Sequence, residues 1–312
     1  MKASYKKINI ISSEKENYRK NNKERGKESI KNKDKNRKNV KNIKNIKNIK
    51  NIKNIKNIKN IINILMPLVS ILIILSAWFI VSRLGIFSAY VLPSPEKVFG
   101  SFIKMVQSGE LFWDIVISFG RVLKGFFIAF ILVFSLGMFR FFLPFAGKYY
   151  EYIVQFFRNV PPLSLIPLLI LWCGIGEMTK TVIIILASFF PMYLNIVKGF
   201  IGCDKQLLEV GDTFGYTEGE KFRYIVLPYA MADIMVGMRI GMGYSWRAII
   251  GAEMVAASTG LGHMILFAQQ MSRTDKVLVG IVVIGIVGFL TDKIFGIIIK
   301  KMFKGTGENG WD

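Results

Sequence analysis

Residues 160–176 read VPPLSLIPLLILWCGIG and residues 181–197 read TVIIILASFFPMYLNIV, with no charged side chain in either run. A bilayer core takes about 20 mostly apolar residues per helix, within a range of about 17–25. Two such runs, parted only by Glu177–Lys180, set the class of the chain. Ile64–Ser82 is also uncharged, and Gly125–Phe139 and Val277–Thr291 are shorter uncharged runs that flanking residues extend. A sixth stretch, about 230–252, is interrupted by Asp233, Arg239 and Arg247. Together they predict an all-α integral membrane protein of about six transmembrane helices, near 63–82, 122–142, 160–176, 180–198, 230–252 and 277–299. The transmembrane body would then be 61–304, between a tail at 1–60 and a short cytoplasmic tail at 305–312.

The formal net charge of +21 invites a nucleic-acid reading until it is divided. Residues 1–60 carry 21 Lys/Arg against 5 Asp/Glu, a surplus of 16, which leaves a surplus of 5 for the rest. From Lys38 to Ile61 the chain repeats Lys-Asn-Ile every three residues, with Val at position 40. A period of three gathers the isoleucines onto no single face of a helix or a strand, so the repeat has no core to bury and disorder is expected. A lysine near an anionic membrane surface contributes about 1 kcal/mol, so the tail is suited to lipid contact rather than specific nucleic-acid binding. The first 60 residues lack an apolar signal-peptide core, and the span from Ile64 is expected to stay uncleaved. Cys173, Cys203 and the single histidine support neither a disulfide framework nor a metal cluster.

Lys47–Lys59 lie close to the first span, so the positive-inside rule places the N-terminus in the cytoplasm. Six spans then make 140–159, 198–229 and the C-terminus cytoplasmic. Arg140, Lys148 and Arg158 lie in the first loop, Lys198, Lys205, Lys221 and Arg223 in the second, and Lys300, Lys301 and Lys304 after the last span. Five spans would leave those last lysines outside. Ser94-Pro95-Glu96 has the form of a helix start: a capping side chain, a proline for the first turn and an acid at the positive dipole end. The mixed stretch 98–119 that follows reads as an interfacial helical segment on the outer side.

Two nucleotide-like motifs fail on context. Gly305-Thr-Gly-Glu-Asn-Gly310 follows a membrane span with no strand before it or helix after it. The stretch from Gly174 to Thr181 has Thr179 where a phosphate loop needs its second glycine, and it falls on the outer side. No chain-borne ATPase and no cofactor are expected. Gly237, Gly241 and Ser245, four residues apart, form one small-residue stripe that lets another helix approach. Arg239 and Arg247 on the same span are costly in lipid and should face protein, water or phosphate. They are candidates for the translocation path or for interhelical bonds. Asp292 and Lys293 fit an interfacial position, and neither Glu253 nor His263 shows a catalytic partner.

The hydrophilic loop between the fourth and fifth runs carries Glu209, Gly215, Ile225, Leu227 and Pro228 at offsets 0, +6, +16, +18 and +19. This spacing resembles the Glu-Ala-Ala-x3-Gly-x9-Ile-x-Leu-Pro signature of binding-protein-dependent ABC transporter permeases. The departure is Val210 and Gly211 in place of two alanines, and a helical glycine costs about 1 kcal/mol relative to alanine. LPSPEKV (92–98), SFGRVLKGF (118–126), RNVPPLSLIPLLILWCGIGEMTK (158–180), FFPMYLN (189–195), GAEMVAASTGLGHMI (251–265) and GIVVIGIVGFLTDK (280–293) are similar to the aliphatic-sulfonate, taurine and nitrate importer permeases.

The resemblance implies a type I ABC importer permease-like fold with a cytoplasmic coupling-helix loop. It further implies a second permease copy, ATPase subunits bound to the loop through Glu209, Gly211, Gly215, Ile225, Leu227 and Pro228, and an extracytoplasmic solute-binding protein. The implied location is a bacterial plasma membrane and the implied solute a small anion, with a thiamine-related vitamin precursor as the alternative. An ATPase-independent channel or secondary transporter is the rival from another class. A membrane enzyme would need a clustered acid, base or metal set, which one histidine and scattered carboxylates do not offer.

Overall fold

The computed structural model describes residue 66 and residues 69–302. The 1–60 tail, with its repeat, and the glycine motif at 305–310 lie outside them. Among the described residues every regular element is helical. In order they are α1 (Val69–Arg83), α2 (Pro95–Gln107), α3 (Glu110–Phe142), α4 (Gly147–Arg158), α5 (Ile166–Cys173), α6 (Glu177–Ile201), α7 (Lys205–Thr213), α8 (Glu218–Lys221), α9 (Leu227–Ala256), α10 (Leu261–Gln270) and α11 (Thr274–Met302).

The expected six spans resolve unequally. Four helices are long and apolar enough to cross a bilayer: Glu110–Phe142, Glu177–Ile201, Glu218–Ala256 and Thr274–Met302. A fifth crossing exists only if the bent pair Tyr149–Arg158 and Pro162–Cys173 counts as one. The described part of the first span, α1, is a shorter apolar helix.

Three boundaries differ from the sequence expectation, each for a physical reason. The helix expected at 122 begins at Glu110, because its early charges are absorbed by partners rather than left in lipid. The mixed stretch 98–119 is therefore two elements. In α2 the Ser94 hydroxyl accepts the Lys97 N–H and Pro95 sits in the first turn, while Gly109, in the left-handed region at φ 75°, turns the chain into α3. The run 160–176 is not a straight span but bends by 89° from α4 into α5. Pro161 and Pro162 cannot donate backbone hydrogen bonds, and each restricts the residue before it, so the helix stops at Arg158 and restarts beyond.

Close backbone approach sets the packing. A Cβ placed on Gly125 of α3 would stand 2.6 Å from Ile184 of α6, and one on Gly137 would stand 3.1 Å from the Phe200 ring. Numbers rise together, so α3 and α6 run parallel. A Cβ on Gly199 would meet Ala230 at 3.0 Å, one on Gly237 would meet Asn195 at 3.0 Å, and one on Gly241 would meet Met192 at 2.4 Å. Here one number rises as the other falls, so α9 runs antiparallel to α6, and this is the most extensive helix contact of the fold. Val122, Phe126, Ile184, Met192, Ile196, Val226 and Ile249 fill the space between them without exposure.

One end of this bundle is tied by a polar knot. The fully buried Glu253 of α9 accepts from Arg121 Nη1 of α3 at 2.7 Å, from the Ser118 hydroxyl at 2.8 Å and from the Gly262 N–H at 3.0 Å. Arg121 also reaches Glu177 at the start of α6 (2.7 Å), and the Asp114 carboxylate accepts the Gly260 N–H at 2.9 Å. Gly260, at φ 106°, leaves the space that the Glu253 carboxylate occupies. Removing one partner of a buried ion pair costs about 3–5 kcal/mol, because a charge is left without compensation. Arg121→Ala is expected to destabilise the detergent-solubilised chain by that amount, read as a lower melting temperature. Adding Glu253→Gln, which keeps an acceptor but removes the stranded charge, should recover part of it.

Candidate functional site

The segment joining α6 to α9 is a compact helix–turn–helix. Asp204 caps α7 by accepting the Gln206 N–H at 3.0 Å. At the far end of α7, Tyr216 N–H donates to the Gly211 carbonyl at 3.0 Å and Gly215 N–H to the Asp212 carbonyl at 2.9 Å. This is the paired C-terminal closure that a left-handed residue makes possible, and Gly215 supplies it at φ 74°. Thr217 then opens α8 with a capping box. Its hydroxyl accepts the Glu220 N–H, and the Glu220 carboxylate accepts the Thr217 N–H at 2.8 Å.

Two contacts hold the turn shut. Gly211 is buried, and a Cβ there would lie 2.8 Å from Ile225 Cδ1 and 3.0 Å from Lys221 Cγ. The glycine that departs from the resembled signature is therefore the point where α7 rests on the next helix. Lys221, itself buried, reaches Asp212 at the end of α7 (2.7 Å) and Glu218 on its own helix. Nothing in the local sequence pairs Lys221 with Asp212. Only the left-handed turn at Gly215 brings them together.

α8 does not end before α9. The helix passes through a single π turn over Phe222–Val226, where Leu227 N–H donates to the Phe222 carbonyl five residues back. Pro228, one residue on, has no N–H for the Tyr224 carbonyl, and the wider turn accommodates its ring. Ile225 and Leu227 are half-buried, Pro228 and Glu209 exposed. The outer surface of the loop is apolar and aromatic: Leu207, Val210, Phe214, Tyr216 and Tyr224 are all exposed, Phe214 most of all at 74%. Tyr216 bridges the rings of Phe214 and Tyr224, with centroids 6.3 and 6.0 Å away.

The other sequence-singled residues separate. Gly237, Gly241 and the fully buried Ser245 lie on the buried side of α9, and the two glycines stand against α6. Arg239 makes a two-pronged pair with Asp292 of α11, at 2.7 and 2.6 Å, so that its charge is met within the chain. Arg247 is exposed, stacks over the Tyr244 ring at 5.5 Å and borders three cavities. Glu253, for which the sequence offered no partner, has one in Arg121, 132 positions away.

Comparison with known proteins places this geometry. Residues 125–304 match the family of binding-protein-dependent transport system inner membrane components. A Bacillus subtilis protein named as an aliphatic sulfonates transport permease is 35% identical over 232 residues, covering 74% of this chain and 84% of that protein. The taurine transport system permease protein of Escherichia coli is 30% identical, covering 70% and 82%. Among solved structures, the inward-facing MetNI methionine ABC transporter superposes with a TM-score of 0.51 at 16% identity. That match covers 61% of this chain and 96% of the solved one, a likeness of fold. An amino acid ABC transporter gives 0.53 at 12% identity, covering 64% and 98%. The chain is a multi-pass membrane protein with a type I ABC importer permease fold, and it belongs to the binding-protein-dependent transport system inner membrane component family.

Proposed function

We propose that the chain is the transmembrane subunit of an ATP-driven importer of small anions, and that 204–228 is where a separate ATPase subunit grips it. One observation carries this reading. A loop built as rigidly as a core element, with two caps, a left-handed closure and a buried lysine latch, turns apolar and aromatic side chains outward. A loop that merely connected two spans would gain nothing from exposing Leu207, Val210, Phe214 and Tyr224, whereas a partner groove would bury them. Glu209, exposed on the same helix, is placed to meet a basic group of that partner.

The remaining assignments follow the same logic. The basic loop and terminal residues favour this end of the bundle, with both termini, on the cytoplasmic side. The 1–60 tail is then a cytoplasmic, membrane-attracted extension. A solute-binding protein would deliver the anion at the Glu253 end, and a second copy of the chain would complete the path. The relatives named for aliphatic sulfonates and taurine, together with a Synechocystis bicarbonate transport system permease, support an anionic solute.

ATP closure of the partner would bias the spans between inward-open and outward-open packings, which requires only that the grip differ between the two states. In membranes holding the complete transporter, Glu209→Ala with Phe214→Ala is expected to cut ATP-dependent uptake and ATPase co-purification by at least tenfold, at normal membrane levels of the chain. Full uptake by a well-expressed double variant would overturn the coupling role, and uptake by the purified chain alone would favour a channel or secondary carrier.

The two glycines of the loop should behave differently. Gly215→Val puts a branched residue in the left-handed region and is expected to cost about 1–3 kcal/mol locally, lowering uptake and partner recovery together. Gly211→Ala puts a methyl 2.8 Å from the movable Ile225 Cδ1 but also 3.0 Å from Cγ of the ion-paired Lys221, so it should loosen the turn and lower both by less than Gly215→Val does, as measured in the same two assays.

A further inference from the structure

We infer that Arg158 and Arg247 form the head-group site for an organic anion inside the permease, and that the wall beside them reads the length of the anion's aliphatic chain. This rests on the importer reading above and adds a site and a basis of selectivity to it. The cavity has a volume of about 390 Å³, within the range of about 300–1,000 Å³ of small-molecule pockets. It lies beside the central part of α6 and α9, against the break between α4 and α5. Irregular backbone at membrane depth persists only where protein buries it or water reaches it, and the Asn159–Pro161 break has this cavity beside it.

Charge selects the ligand. Arg83, Arg121, Arg140, Arg239 and Arg273 each face a carboxylate within the chain. Among the described residues Arg158, Arg223 and Arg247 form no such pair; Arg223 lies over the Tyr224 ring in the loop, while Arg158 and Arg247 share a cavity that no acidic residue lines. The two neighbouring cavities also touch Arg247 but contain the Arg239–Asp292 pair, so one of their positive charges is already met. Two guanidinium groups without a carboxylate partner, on the wall of one apolar cavity, call for an anion with several acceptor oxygens. The rest of the wall is hydrocarbon, formed mainly by Leu163, Leu186, Phe190 and Leu194. A bare inorganic anion leaves that wall unused. An alkyl chain covers it, and each methylene buried strengthens binding about fourfold.

The test uses the full chain in nanodiscs of zwitterionic lipid, titrated calorimetrically with methanesulfonate, propane-1-sulfonate, butane-1-sulfonate and inorganic sulfate. Binding should saturate, tighten about fourfold per methylene, and be weakest for methanesulfonate and sulfate. Arg158→Gln and Arg247→Gln should each weaken butane-1-sulfonate at least tenfold, without a change in melting temperature. Arg247→Lys, which retains the charge, guards against a folding effect and should lose less. Affinity independent of chain length, or unchanged in both glutamine variants, or no saturable binding to a monodisperse chain, would overturn the proposal. Uptake separates it from the importer reading. ATP-dependent uptake with unaltered affinity in Arg247→Gln removes the site and leaves the importer. Binding as described, with no ATP-dependent uptake by the complete transporter, removes the importer and leaves the site.

Discussion

The approach of α6 to α9 is the constraint on which the rest of the molecule depends. Glycines at 199, 237 and 241 bring the two backbones close enough that a single added methyl would strike Ala230, Asn195 or Met192. Lipid tails are as apolar as the side chains they replace, so little drives helices together in a membrane except close packing and polar bonds. The glycine contacts supply the packing between α6 and α9. The Arg121–Glu253 knot and the Arg239–Asp292 pair supply the polar bonds, binding α3 and α11 to α9. With α6 and α9 fixed antiparallel, the segment between them has to turn back on itself in a short space, and the helix–turn–helix is the shape that results.

This division also explains why some arginines end in ion pairs and others do not. α9 carries Arg239 and Arg247 two turns apart, and on sequence grounds both were equivalent. Asp292 of α11 takes the first, leaving Arg247 over Tyr244 at the edge of the apolar cavity. A carboxylate on the neighbouring helix therefore decides which of the two cations is left without an ion pair.

The sequence carried the class of the protein and the turn chemistry of its loop more fully than its geometry. Uncharged runs located α3, α6 and α11, the small-residue stripe supported α9, and the Glu209–Pro228 spacing located the helix–turn–helix, because hydropathy and left-handed glycines are local properties. The bend after Arg158 was written in Pro161 and Pro162, yet the uncharged run 160–176 hid it, since hydropathy counts side chains and ignores missing backbone donors. The early start of α3 was hidden for the opposite reason. Glu110, Asp114 and Arg121 look foreign to a span until partners far along the chain, among them Glu253 and the Gly260 N–H, are folded against them. Gly211 seemed a weak point in a helix, and only the position of Ile225 shows it to be a seat.

The π turn at Phe222–Val226 makes α8 and α9 one unbroken rod of 39 residues, Glu218–Ala256. At 1.5 Å per residue it is about 58 Å long. One end carries the Lys221 latch and the other the Glu253 knot. A tilt of about 5° around its middle swings each end by about 2.5 Å, so motion imposed at Lys221 arrives at Glu253 with the opposite sign. Were it to tilt as a rigid body, the rod would carry a displacement of its loop end to the far end of the bundle.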